Sequence, residues 1–205
     1  MPNISSQTHI DSVIRFLHFI LMLSFLGAYV TGDHEGWHQW HMMFGYTLAI
    51  SLGFRIMWQL IAPSMRVSHP FGLRKRINIG KNFLQKILKS INLKHLSKSD
   101  IQSVSSVVFH SSIALIFLVL PLTVTVGYFT ENTHNHTLKE IHELLANLFL
   151  ASVLLHLGSL LLNMLLLKKF WAKKMFWAVD YSIQALASMG LMLAAFLGFW
   201  YWYLG

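Results

Sequence analysis

The 205-residue chain contains no cysteine, only four prolines, and eight acidic side chains against sixteen basic ones. Without cysteine there is no disulfide scaffold, thiolate zinc site, iron–sulfur cluster, thioether-linked haem or thiol nucleophile. Charge is scarce too. Asp, Glu, Lys and Arg make up 12% of the residues, against roughly a quarter in ordinary soluble chains. Hydrophobic residues make up 55%, and mean hydropathy is +0.52. A water-facing shell cannot be built from such a chain, so the sequence specifies an integral membrane protein. The side chains left for metal or redox chemistry are its 12 histidines.

Five runs are long and apolar enough to cross a hydrocarbon core of about 30 Å, which takes about 20 helical residues. They lie near 12–31, 41–62, 106–128, 140–167 and 181–203. Lipid cannot satisfy an exposed amide, so every span must be helical and the fold class is all-α. No basic segment with a small-residue cleavage site precedes the first span, which is therefore expected to be retained. Lys and Arg concentrate in residues 63–105 and 168–174, whereas the intervening loops on the other side hold only Lys139. Loops that keep their cations stay in the cytoplasm, so the N-terminus is expected there and the C-terminus outside. Trp37, Trp40, Trp200, Tyr201, Trp202 and Tyr203 would form an outer aromatic belt. Within 63–105, Ile79, Phe83, Leu84, Ile87, Leu88 and Ile91 recur at helical spacing, predicting an amphipathic helix on anionic lipid. The net charge of +8 thus follows from topology and requires no nucleic acid.

An ionisable residue inside a span is expensive and reads as functional by default. His18, His41, His110, His142 and His156 qualify, while His9, His34, His38, His69, His95, His134 and His136 fall in tails or loops. His142 and His156 lie fourteen residues apart on one helix, within roughly 40° of one face and about 21 Å apart along the axis. One therefore sits near each side of the bilayer. The first span places His18 in its cytoplasmic half and the second begins outside with His41. His18 can then face His156, and His41 can face His142, with a mismatch of about 5–10 Å at the inner level left for tilt to absorb. Two neutral imidazoles between apolar walls suit an axial pair for haem iron, whereas zinc would want three or four ligands. Arg15 is one turn before His18, and Arg55 returns to the His41 face near the inner level. Both are candidates for the haem propionates. Gly27, Gly45 and Gly158 could admit a ring edge.

The runs Ile14-Arg15-Phe16-Leu17-His18-Phe19, Thr31-Gly32, His41-Met42-Met43-Phe44-Gly45-Tyr46 and Phe54-Arg55-Ile56-Met57-Trp58 resemble the first half of the bacterial cytochrome b561 and nickel-hydrogenase b-type cytochrome family. Phe109-His110, Leu120-Pro121, Ile141-His142-Glu143-Leu144-Leu145-Ala146-Asn147-Leu148 and Leu155-His156 resemble its second half. The likeness runs from about residue 10 to 175. It implies a four-helix transmembrane bundle holding two b haems in the bacterial inner membrane, with axial pairs His18/His156 and His41/His142. The His-x-x-x-Gly-Tyr match favours His41 over His38 one turn earlier. His110 matches a family position without being an axial ligand and is a candidate for a quinone pocket or a propionate contact. Residues 1–175 would form the di-haem bundle, with residues 63–105 as its basic cytoplasmic loop. The last span, within 176–205, is an addition that could pack on the bundle or on a partner.

With both axial positions filled, oxygen and substrate chemistry at iron is disfavoured and electron transfer remains. The expected function is an electron-transfer cytochrome, more a subunit than an independent enzyme, working between the quinone pool and a periplasmic redox partner. That partner would be a c-type cytochrome or a reductase or hydrogenase subunit; a bound quinone and homo-oligomeric contacts are further candidates. The alternative is a stand-alone oxidoreductase of the superoxide-oxidase type. It is disfavoured because Lys139 is the only outer Lys or Arg available to steer an anion. A transporter is disfavoured by the lack of an evident internal repeat.

Overall fold

A computed structural model describes residues 12–61, 98–133, 135–167 and 183–205. Among them are five long helices and no strand. These are α1 (Ser12–Thr31), α2 (His38–Ile61), α3 (Lys98–Thr133), α4 (His136–Leu167) and α5 (Ile183–Leu204), with a short 3₁₀ turn at Glu35–Trp37. The amphipathic segment expected near 79–91, and His9, His69, His95 and His134, lie outside the described residues. Ser12–Thr31, Ser105–Thr133, His136–Leu165 and Ile183–Leu204 are long and apolar enough to cross a membrane. At 24 residues α2 is as long, about 36 Å at helical rise, but His38, Gln39, His41, Arg55 and Gln59 dilute its apolar character. The chain is a multi-pass membrane protein.

The helices group into two compact units. In the first, α1 and α2 form an antiparallel hairpin. Thr31 closes α1 by donating its hydroxyl to the carbonyl of Gly27 at 2.7 Å. At Gly27 itself, a Cβ would lie 2.6 Å from the Phe44 ring. The missing side chain therefore lets α2 lie close to α1, and Phe44 fills the space that the sequence reading kept for a haem edge. Helix α5 runs antiparallel to α2. Val13 and Leu17 of α1 are buried with Ala185, Met192 and Phe196 of α5. Phe54 meets Phe196 edge-on at 5.7 Å. Further along, Trp200 donates Nε1–H to Thr47 Oγ1 at 2.9 Å, and Tyr46 meets both Phe199 and Tyr203. Of the expected aromatic belt, Trp37, Trp40, Tyr201 and Trp202 are exposed, whereas Trp200 and Tyr203 are drawn into the α2–α5 packing. Ala185 uses its small size against α1, while Ala195 and Gly198 stay exposed.

The second unit is the α3–α4 hairpin. Asn135 caps α4 by accepting the Thr137 amide at 2.9 Å. At the far end, fully buried Asn163 donates Nδ2–H to Ser105 Oγ at 2.5 Å and to the Ser159 carbonyl at 2.8 Å. Such a polar clamp fixes register where apolar packing alone would let helices slide. Other hydroxyls turn back onto their own helices, as Thr123 does to Val119 and Ser152 to Leu148, so these hydroxyls are satisfied without water.

Candidate cofactor site

His41 sits in the first turn of α2, half-buried, with Nδ1 at 2.8 Å from the Ala28 carbonyl on α1. His142 sits in the second turn of α4 with Nδ1 at 3.0 Å from the Thr123 carbonyl on α3. A carbonyl only accepts, so each ring carries its proton on Nδ1 and its lone pair on Nε2. That is the tautomer a metal ligand needs, with the backbone contact orienting the ring and raising its basicity. His38, one turn before His41, is exposed.

The other two span histidines, His18 and His156, are held differently. His18 on α1 is half-buried, and Arg55 of α2 lies within electrostatic reach of it. Arg15, one turn earlier on α1, is half-buried as well. In the other unit, His156 stacks on Phe109 with ring centroids 5.0 Å apart and planes 28° apart. Phe109 in turn meets His110 edge-on at 5.4 Å, which puts His110 at the depth of His156. His110 Nδ1 lies 2.6 Å from the carbonyl of Ser106 on its own helix. Sequence reasoning had quoted Phe109 only as part of the Phe109-His110 motif, and had named none of Thr123, Gly127, Ser105 and Asn163 for this part of the molecule. Asn163 did carry a signal, as a lone amide within a leucine-rich run.

Each unit therefore holds two histidines at two depths. On α4 they are about 21 Å apart along the axis. In the α1–α2 hairpin, the His41–Ala28 contact marks one depth and the Arg55–His18 proximity the other. They are separated by ten residues of α1 and fourteen of α2, roughly 15–21 Å. Side chains lean toward the N-terminus of their own helix, so His18 and His41, on antiparallel helices, lean apart and approach the α4 spacing. Among the described residues, no three His, Asp or Glu side chains converge as a metal site. At Gly45 and Gly158 an added Cβ would meet nothing within 4 Å.

Long apolar helices carrying imidazoles at two depths, two of them tethered to backbone carbonyls of the neighbouring helix, suit a membrane redox protein of the b-type cytochrome class. A family profile described as prokaryotic cytochrome b561 matches residues 9–178, and the chain belongs to that family. No curated protein and no solved structure matches it. Membership makes it a haem b protein that works in electron transfer, and the residues present fit that group: with Nδ1 held by a carbonyl, His41 and His142 leave Nε2 for a metal, and Gly45 and Gly158 leave open space along α2 and α4.

Proposed function

We propose that the protein holds two b haems, with His18 and His156 as the axial pair of the inner one and His41 and His142 of the outer one. On this reading it carries electrons between the quinone pool and a redox partner on the periplasmic side of the bacterial inner membrane, with its N-terminus cytoplasmic and its C-terminus periplasmic. Residues 1–175 form the haem-binding part, and α5 is an addition to it. When bound, haem b supplies a one-electron couple at each level. The chain does the rest. Backbone carbonyls orient the outer imidazoles, Arg15 and Arg55 place cationic donors near the inner ring for propionates, and the apolar spans exclude water. His110 is assigned beside the inner haem, as a propionate or quinone contact.

The observation that carries this reading is the pair of Nδ1–H bonds from His41 to Ala28 and from His142 to Thr123. They prepare one ligand in each unit in the same tautomer. The parallel course of α1 and α5 supports the assignment of the two termini to opposite sides. The test is the purified protein in detergent: two haems per chain, sharp reduced b-type bands, and reduction of both haems by a water-soluble quinol. A protein that binds one haem or none, or whose haems ignore quinol, contradicts it.

A further inference from the structure

We infer that Gly127 is a positioning residue for His142, needed because any side chain there would displace the imidazole from the carbonyl that fixes its tautomer. The inference rests on reading His142 as an axial ligand. In a helix the Cα–Cβ bond leans toward the N-terminus, so a side chain at residue 127 would stand over the carbonyl of Thr123, four residues back. That is where the His142 ring arrives, with Nδ1 at 3.0 Å from the oxygen. A Cβ added at Gly127 would lie 2.8 Å from Cε1 of that ring, closer than real Cβ atoms come, and 3.0 Å from its Nδ1. The ring is the movable partner. It can swing aside about its own side-chain torsions, but only by giving up Thr123.

The α1–α2 hairpin solves the same problem differently. Ala28 accepts from His41, and the residue four positions later is again glycine, Gly32. A Cβ there would lie 3.3 Å from the Ala28 oxygen, which asks for a shift of a few tenths of an ångström at most, and 3.4 Å from Nδ1 and 3.5 Å from Cε1 of His41, so the ring itself need not move. The reason lies in where the helices stop. Helix α1 ends at Thr31, so the Ala28 carbonyl belongs to the last turn, where the backbone ladder stops, and the imidazole shares it with no more than a long 3.4 Å bond from the Thr31 hydroxyl. Helix α3 continues to Thr133, so His142 must reach a carbonyl within an unbroken helix, over a position kept bare. Gly127 is thus strict and Gly32 tolerant.

The Nδ1–H bond raises the basicity of Nε2, so its loss weakens donation to ferric iron and moves the potential of the haem upward. The experiment compares full-length wild type, G127A, G32A and H142A, each purified with haem, by haem content, low-spin ferric EPR and redox titration. The expected result for G127A is one altered haem: its EPR signal moves and its potential rises, or that haem is lost, while the other haem keeps its wild-type signal. G32A is expected to leave both unchanged. If G127A leaves both haems as in wild type, alters both alike, or is matched by G32A, the inference is overturned. H142A separates the two levels of claim. Retention of two unaltered haems in H142A defeats the ligand assignment itself, whereas loss or alteration of one with a silent G127A defeats only the role of Gly127. Should G127A not accumulate, the double variant G127A/H142A decides. It is expected to accumulate as well as H142A, and failure to do so would make Gly127 a packing residue instead.

Discussion

The two hairpins hold their histidines by unlike means. In α1–α2 the ligand-bearing helix starts right after a short 3₁₀ turn, and His41 uses a carbonyl left over by the end of α1. A third helix, α5, covers the pair with an apolar core and the Trp200–Thr47 bond. Among the described residues, α3–α4 has no third helix within its unit. Register comes instead from the buried Asn163–Ser105–Ser159 clamp, and His142 reaches into an unbroken helix over Gly127. The same imidazole–carbonyl contact is therefore reached from a helix end in one case and from a helix middle in the other. An imidazole needs a carbonyl of fixed position, and either source supplies one.

The largest effect expected from breaking this comparison falls on the ligands. His41→Ala removes or renders high-spin one of two haems, whereas His38→Ala, one turn away and exposed, keeps both, as read from the haem-to-chain ratio and the ferric spectrum. Next comes the clamp. Asn163→Ala removes two hydrogen bonds from a fully buried site and should cost about 1–2 kcal/mol, seen as earlier thermal unfolding in detergent. In the other hairpin, Trp200→Phe keeps most of the packing and loses one bond to Thr47, a cost of about 0.5–1.5 kcal/mol. Trp202→Phe, at an exposed position, should leave the melting curve unmoved. Smallest of all is the solvent-facing His136–Glu140 pair at 3.5 Å. Glu140→Gln should change stability by no more than about 0.5 kcal/mol, with the little effect there is fading in high salt.

Hydropathy made the spans legible because lipid imposes length and helicity together. Its limits show at the helix ends. Helix α3 starts at Lys98 and α4 at His136, several residues outside the runs expected at 106 and 140, because a helix continues into the polar zone where apolar composition stops. The candidate histidines were legible from cost alone, since imidazole in a span demands a reason. Their hydrogen-bond partners were not. Ala28 and Thr123 contribute backbone atoms, and which carbonyl meets which ring depends on interhelical register, a quantity that composition does not encode. Gly27 illustrates the same limit: its small size was read as room for a haem edge, whereas in the structure the Phe44 ring occupies that space. Phe109 stood in a recognised motif beside His110, but nothing in the sequence tied its ring to His156, on which it stacks in the structure.

Ligand pairing is tested most directly by haem content in two double variants. His41→Ala with His142→Ala removes both ligands of one haem and should leave the other, with its own spectrum intact. His41→Ala with His156→Ala strikes both haems and should leave no intact low-spin signal. Equal haem loss in the two, or a surviving low-spin haem in the second, would contradict the account.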